Sequence, residues 1–122
     1  MSKIFEDAMK FAEQHVKPYT EEVDRDGRFP KEAYNELRKQ GYMGLIVPKE
    51  YGGMGGGAKE HAEVVHALSN YCATTGLCYM MHNVATKCII KFGSEELKKE
   101  FLPKIAKGEV AIALAYSESG SG

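Results

Sequence analysis

The chain has 122 residues, 43% of them hydrophobic and 27% charged, with a formal net charge of −1. That length allows one domain with a real core and no need of disulfides or metal. The charge balance excludes a general binder of nucleic acid or anionic membrane: Lys98, Lys99, Lys104 and Lys107 alternate with Glu95, Glu96, Glu100 and Glu109 as on a solvated helix face.

Cys72, Cys78 and Cys88 are odd in number with no secretory signal ahead of them, which reads as free thiols in a reducing, cytoplasmic setting. No apolar run approaches the ~18 residues that a membrane span requires.

In chain order, residues 2–23 carry a helical stripe of Ile4, Phe5, Ala8, Phe11, Ala12, Val16 and Val23, with Ser2 placed to cap it. Pro18 lies inside that stripe and predicts a kink or a restart. Pro30 suits the first turn of a second helix carrying Ala33, Tyr34 and Leu37, and Gly41 closes it. The segment "GLIVPKEYGGMGGG" is irregular, because Pro48 and its glycines exclude regular structure.

A third helix is predicted from about Ala58, with Ala62, Val65, Leu68 and Cys72 on one face. A fourth begins near Thr75 and shows Leu77, Met81, Val84, Ala85, Cys88, Ile89 and Phe92 at three-four spacing. Met80 and Ile90 fall off that stripe, which suits a central helix. Gly93 ends it. Ser94 caps a fifth helix, where Glu95 and Glu96 meet the positive helix start and Pro103 is expected to split or bend the rod. The expected fold class is therefore all-α, an antiparallel helical bundle, with one exception. Residues 110–116 have the composition of a buried β-strand and no partner to pair with, so fraying or pairing with another chain is expected.

Several chemical readings compete with plain structural ones. Gly53, Gly55 and Ala58 fit a relaxed dinucleotide fingerprint, and Gly53 to Lys59 nearly matches a phosphate loop. Neither holds: no strand runs directly into the turn, and Glu60 stands where a hydroxyl should reach Mg²⁺. A flexible surface loop is the better reading. His61 and His66 are five apart, one too many for a helical zinc pair, and Cys78 with His82 lacks further ligands. His82 reads as a pocket-lining or satisfied core histidine. No catalytic base or nucleophile stands out. Leu77, Met80 and Met81 suit either an aliphatic pocket or ordinary core, and the final "SGSG" equally suits a linker.

Taken together, "DRDGRFPKEAYNELRKQGYMGLIVPKEYGGMG" resembles the second helix and following loop of the flavin-dependent acyl-CoA dehydrogenases. "KFGSEELKKEFLPKIAKGEVAIALAYSESGSG" is similar to the segment leading from that family's helical N-terminal domain into its β-domain. The resemblance covers essentially the whole chain. It implies a helical N-terminal domain over residues 1–109 and, over 110–122, the first strand and turn of a flavin-binding β-domain.

The family's chemistry, α,β-dehydrogenation of an acyl-CoA thioester with FAD, would then be the expected activity of a whole enzyme. The resemblance places Leu114, Tyr116 and Ser117 near the flavin and Leu77, Met80, Met81 and Val84 along the acyl-chain pocket, where the bulky methionines would favour a short acyl group. In the family's turn Ser117 stands for a threonine, Glu118 and Gly122 match, and Ser119 replaces a proline. The family's base lies in later helices, so no glutamate of this chain inherits it. An electron-transfer flavoprotein or similar acceptor and homo-oligomerisation of the whole enzyme are implied as well. The competing expectations are a related flavin oxidase or monooxygenase, and a non-catalytic helical interaction module.

Overall fold

A computed structural model describes residues 2–121. Its helices are α1 (Lys3–His15), α2 (Thr20–Asp26), α3 (Lys31–Lys39), α4 (Ala58–Ser69), α5 (Ala73–Phe92) and α6 (Glu95–Ala106), with short 3₁₀ turns at Lys17–Tyr19, Tyr42–Gly44 and Lys49–Tyr51. The expected all-α bundle is present, and none of its helices is long and apolar enough to cross a membrane.

The Ser2 hydroxyl caps α1 by accepting the Phe5 N–H at 3.3 Å, and it also pairs with the Glu63 carboxylate of α4. Pro18 forces the restart: α1 ends, a 3₁₀ turn holds the proline, and α2 follows. The Arg28 guanidinium then ties α2 to α3, reaching Glu22 at 2.9 Å and Glu32 at 3.0 Å, and this pairing holds the Glu32 carboxyl below its usual range. Ala33, Tyr34 and Leu37 are buried on α3, and Gly41 follows it in the left-handed region at φ +82°.

The main core joins Phe5, Ala8, Phe11 and Ala12 of α1 to Leu37, Met43, Val64, Leu68 and Tyr79. Ala8 and Ala12 let α1 approach α4 closely, and the Phe5 ring lies 5.2 Å from that of His66. This contact rotates α4 from the expected face. Val64, Ala67 and Leu68 are buried, whereas Ala62 is exposed and Val65 half-buried. A smaller cluster holds Val47, Leu102 and Ile105, with Val110 and Ile112 packed against it.

The glycine loop is tethered rather than flexible. The N–H groups of Met54, Gly55 and Gly56 donate to the carbonyls of Gly44, Val47 and Leu45 at 2.9, 2.9 and 2.7 Å. A Cβ at Gly53 would lie 2.1 Å from the Val47 oxygen, so the glycine serves a close backbone approach and not a phosphate.

Two further expectations are corrected. Pro103 does not split α6, which runs through it to Ala106. The carbonyl left without a donor belongs to Lys99, at the exposed surface where water can serve it. Residues 110–116 form no strand: a strand is defined by its pairing, and no partner backbone is present among the described residues. The single bridge near the end joins Glu118 and Ser121.

Candidate functional site

Helix α5 is built inside out. Its buried residues include Thr75, Tyr79, His82, Asn83 and Thr86, while Leu77 is 55% exposed and Phe92 79% exposed. The part of the apolar stripe carried by Leu77, Met81, Val84, Cys88 and Phe92 is thus open to solvent to differing degrees, whereas Ala85 is buried, Ile89 packs on the Val47–Leu102–Ile105 cluster, and the inward side is largely polar. That arrangement stands because most of the inward groups find partners within the bundle. The Tyr79 hydroxyl donates to the Tyr42 carbonyl at 2.8 Å, and the Thr86 hydroxyl to the His82 carbonyl at 2.8 Å.

Leu77, Met80, Met81 and Val84 share one face of α5 at spacings of three, one and three, and all four remain open to solvent to some degree. Below them a groove of about 300 Å³ lies between the start of α4 and the last turns of α5. Ile46, Val84 and Cys88 form its apolar wall, His61 and Asn83 its polar wall, and Lys87 stands at its edge. Of the four residues assigned to an acyl pocket, only Val84 lines this groove; the other three continue the same face toward the helix start.

Asn83 is 1% exposed, and its carboxamide makes no hydrogen bond of ordinary geometry among the described residues, although it acts on the Tyr79 hydroxyl and partly offsets the rise in that phenol's pKa; the buried His61 Nε2 is likewise unpaired. Burial pushes the His61 pKa down and the Cys78 thiol up. Sequence reasoning weighed His61 only as a metal ligand and passed over Asn83. The usable signal was an amide beside His82 in the middle of an otherwise apolar helix.

His82 is fully buried. Its Nε2 lies 2.9 Å from the Met43 carbonyl, and its Nδ1 accepts the Ile112 N–H at 3.3 Å. Both ring nitrogens are committed to backbone, which takes His82 out of any pairing with Cys78 around a metal. At the start of α4, Glu60 accepts the Gly57 N–H at 2.8 Å and is held below its usual pKa by backbone hydrogen bonds. A carboxylate in that place repels phosphate.

The segment after α6 carries the other assigned residues. Leu114 is half-buried, Tyr116 is 64% exposed and Ser117 is exposed. The N–H groups of residues 113–117 make no hydrogen bond among the described residues. Glu118 and Ser121 then close a turn by exchanging two backbone bonds of 2.8 and 3.2 Å. Gly122, matched to the family's glycine, lies outside the described residues.

Known proteins share this fold. The family model described as "Acyl-CoA dehydrogenase, N-terminal domain" matches residues 2–109. Among curated proteins, the chain is 35% identical over 115 residues to the acryloyl-CoA reductase (NADH) of Anaerotignum propionicum, covering 94% of this chain and 29% of that one. It is 38% identical over 114 residues to the short-chain specific acyl-CoA dehydrogenase of Clostridium acetobutylicum, covering 93% of this chain and 30% of that one. The chain therefore spans less than a third of the length of either relative.

Among solved structures, the acyl-CoA dehydrogenase of Bacillus anthracis complexed with FAD superposes with a TM-score of 0.85 at 30% identity, over 98% of this chain and 20% of that one. A chain from the study of the electron transferring flavoprotein of Acidaminococcus fermentans gives 0.78 at 31% identity, over 88% of this chain and 30% of that one. With the family match running from residue 2 to residue 109 on this fold, the chain belongs to the acyl-CoA dehydrogenase N-terminal domain family.

Proposed function

We propose that the chain serves as the helical N-terminal domain of a flavin-dependent acyl-CoA dehydrogenase, forming part of the FAD and acyl-chain pocket without being catalytic alone. Residues 1–109 are the helical domain, and residues 110–122 open the flavin-binding β-domain. The observation that carries this reading is the outward apolar face of α5, where Leu77, Met80, Met81 and Val84 stand open for an apolar ligand. An ordinary bundle would turn such a face inward.

Within that enzyme the four α5 side chains hold the acyl chain and exclude water from it, and the two methionines shorten the space available, which favours a short acyl group. Residues 114–117 fit a polar cofactor edge, since their backbone N–H groups and the Ser117 hydroxyl are open. Leu114, Tyr116 and Ser117 would hold FAD, which when bound supplies the acceptor for the β-hydride. The α-proton needs a carboxylate base from outside this chain. The acyl-CoA substrate, an electron-transfer flavoprotein or similar acceptor, and a homo-oligomeric whole enzyme belong to the same reading.

The test is the whole subunit, assayed for flavin content and for acyl-CoA oxidation with an acceptor flavoprotein and with oxygen. Flavin-bound protein that oxidises short acyl-CoA through the acceptor supports the proposal. In that enzyme, the double change Met80→Ala and Met81→Ala should move the preferred acyl length upward. An unmoved preference would remove the two methionines from the acyl wall.

A further inference from the structure

We propose that His82 is the positioning residue that sets the flavin-facing segment in register with the acyl-facing wall of α5. The inference rests on the function proposed above and assigns His82 a role within that same site.

The hydrogen bonds fix the state of the ring. The Met43 carbonyl can only accept, so the proton sits on Nε2, which donates to it at 2.9 Å. The Ile112 N–H can only donate, so Nδ1 is the acceptor at 3.3 Å. One neutral tautomer satisfies both, and a fully buried imidazole with no opposite charge beside it is neutral by preference.

Those two bonds join three parts of the fold. Met43 belongs to the buried turn Tyr42–Gly44, which packs on α6. His82 lies on α5, next to Met81 and two positions from both Met80 and Val84. Ile112 is the last backbone donor of the exit segment that is tied to the helical body, since residues 113–117 make no hydrogen bond among the described residues. Leu114 follows two positions later and Ser117 five positions later. The direction in which the chain leaves the bundle is therefore set at the ring of His82, on the helix that carries the acyl wall. The Thr86 hydroxyl, donating to the His82 carbonyl at 2.8 Å, ties that stretch of helix further.

The experiment separates the two bonds. An asparagine side chain places its acceptor where Nδ1 stands, and a glutamine places its donor where Nε2 stands. In the 122-residue chain, nitrogen NMR should show His82 as the Nε2–H tautomer, and hydrogen exchange should show the Ile112 amide protected. His82→Asn should keep that protection, while His82→Gln should speed Ile112 exchange by about fivefold or more, the equivalent of about one lost hydrogen bond. In the whole subunit, His82→Gln should weaken flavin binding by a similar factor and shift the flavin absorption spectrum, with His82→Asn close to the parent.

Equal exchange at Ile112 in the parent and the Gln variant would overturn the latch itself. A lost latch with unchanged flavin affinity and spectrum would overturn the positioning role and leave the proposed function standing. A whole subunit that takes up no flavin, with the latch intact in the 122-residue chain, would overturn the proposed function and the positioning role with it.

Discussion

The Tyr79 hydroxyl donates to the main-chain carbonyl of Tyr42 at 2.8 Å, joining the centre of α5 to the turn that precedes the glycine loop. Burial raises the Tyr79 pKa, so the phenol stays protonated and remains a donor across the ordinary range. Tyr79→Phe should cost about 1 kcal/mol in a urea titration, because the Tyr42 carbonyl keeps a second donor in the Leu45 N–H at 3.1 Å. A loss several times larger would mean that the ring, and not the bond, had shifted.

Asn83 predicts the opposite sign. Its carboxamide is buried and meets the Tyr79 hydroxyl only outside ordinary hydrogen-bond geometry, so the folded chain recovers little of the desolvation cost. Asn83→Leu, close in shape and without polar atoms, should stabilise the chain by about 1–3 kcal/mol. Thermal unfolding monitored by circular dichroism checks it, and a lowered Tm would refute it.

Gly53 should tolerate no side chain. Gly53→Ala sets a Cβ against the Val47 carbonyl and should cost about 1–3 kcal/mol, the usual penalty for overpacking. The amide resonances of Met54, Gly55 and Gly56 should move with it, because their three bonds run to the same strip of backbone.

Stability should fall as pH drops below neutrality. Burial holds the His82 pKa below its ordinary value of 6.5, with Arg38 adding to the effect and the Met43 and Ile112 contacts opposing it. Between 6.5 and the lowered value, the unfolded chain binds a proton that the folded chain refuses, so stability rises with pH through that window and is level above it. The slope from one such group reaches at most about 1.4 kcal/mol per pH unit. His61, also held below 6.5 by burial, adds to the same trend, so His82→Asn should reduce the slope of that part of a stability–pH curve and leave the His61 share. Glu32, Glu36 and Glu60, whose pKa values are lowered by hydrogen bonds, act in the same direction in the acid range below 4.5.

The periodic signals in the sequence located the elements well. Ser2 and Ser94 cap helices as their positions suggest, Pro18 divides the first stripe, and Gly41 ends α3. What stayed hidden was which side of a helix faces in. The Leu77–Met81–Val84 stripe is visible by spacing, but spacing carries no direction. Burial follows the hydrogen-bonding partners that Tyr79 and His82 find in a distant segment, while Thr86 closes its bond within the helix on the His82 carbonyl. That His61 and Asn83 line one groove follows from the packing of two helices and leaves no local trace in the sequence. Pro103 misled because the rule against proline in a helix is relaxed where the orphaned carbonyl reaches water.

The outward side of α5 also sets the calorimetry of the chain. Unfolding raises heat capacity by exposing apolar surface to water, typically about 12–15 cal/mol/K per residue, or about 1.5–1.8 kcal/mol/K for 122 residues. Leu77 and Phe92 are already more than half exposed before the chain unfolds, and the rest of their face is partly so. The folded chain has thus given up part of that increment in advance. Its ΔCp should fall below the length-based value, its stability curve should be correspondingly flat, and the missing heat capacity should reappear when that face is covered.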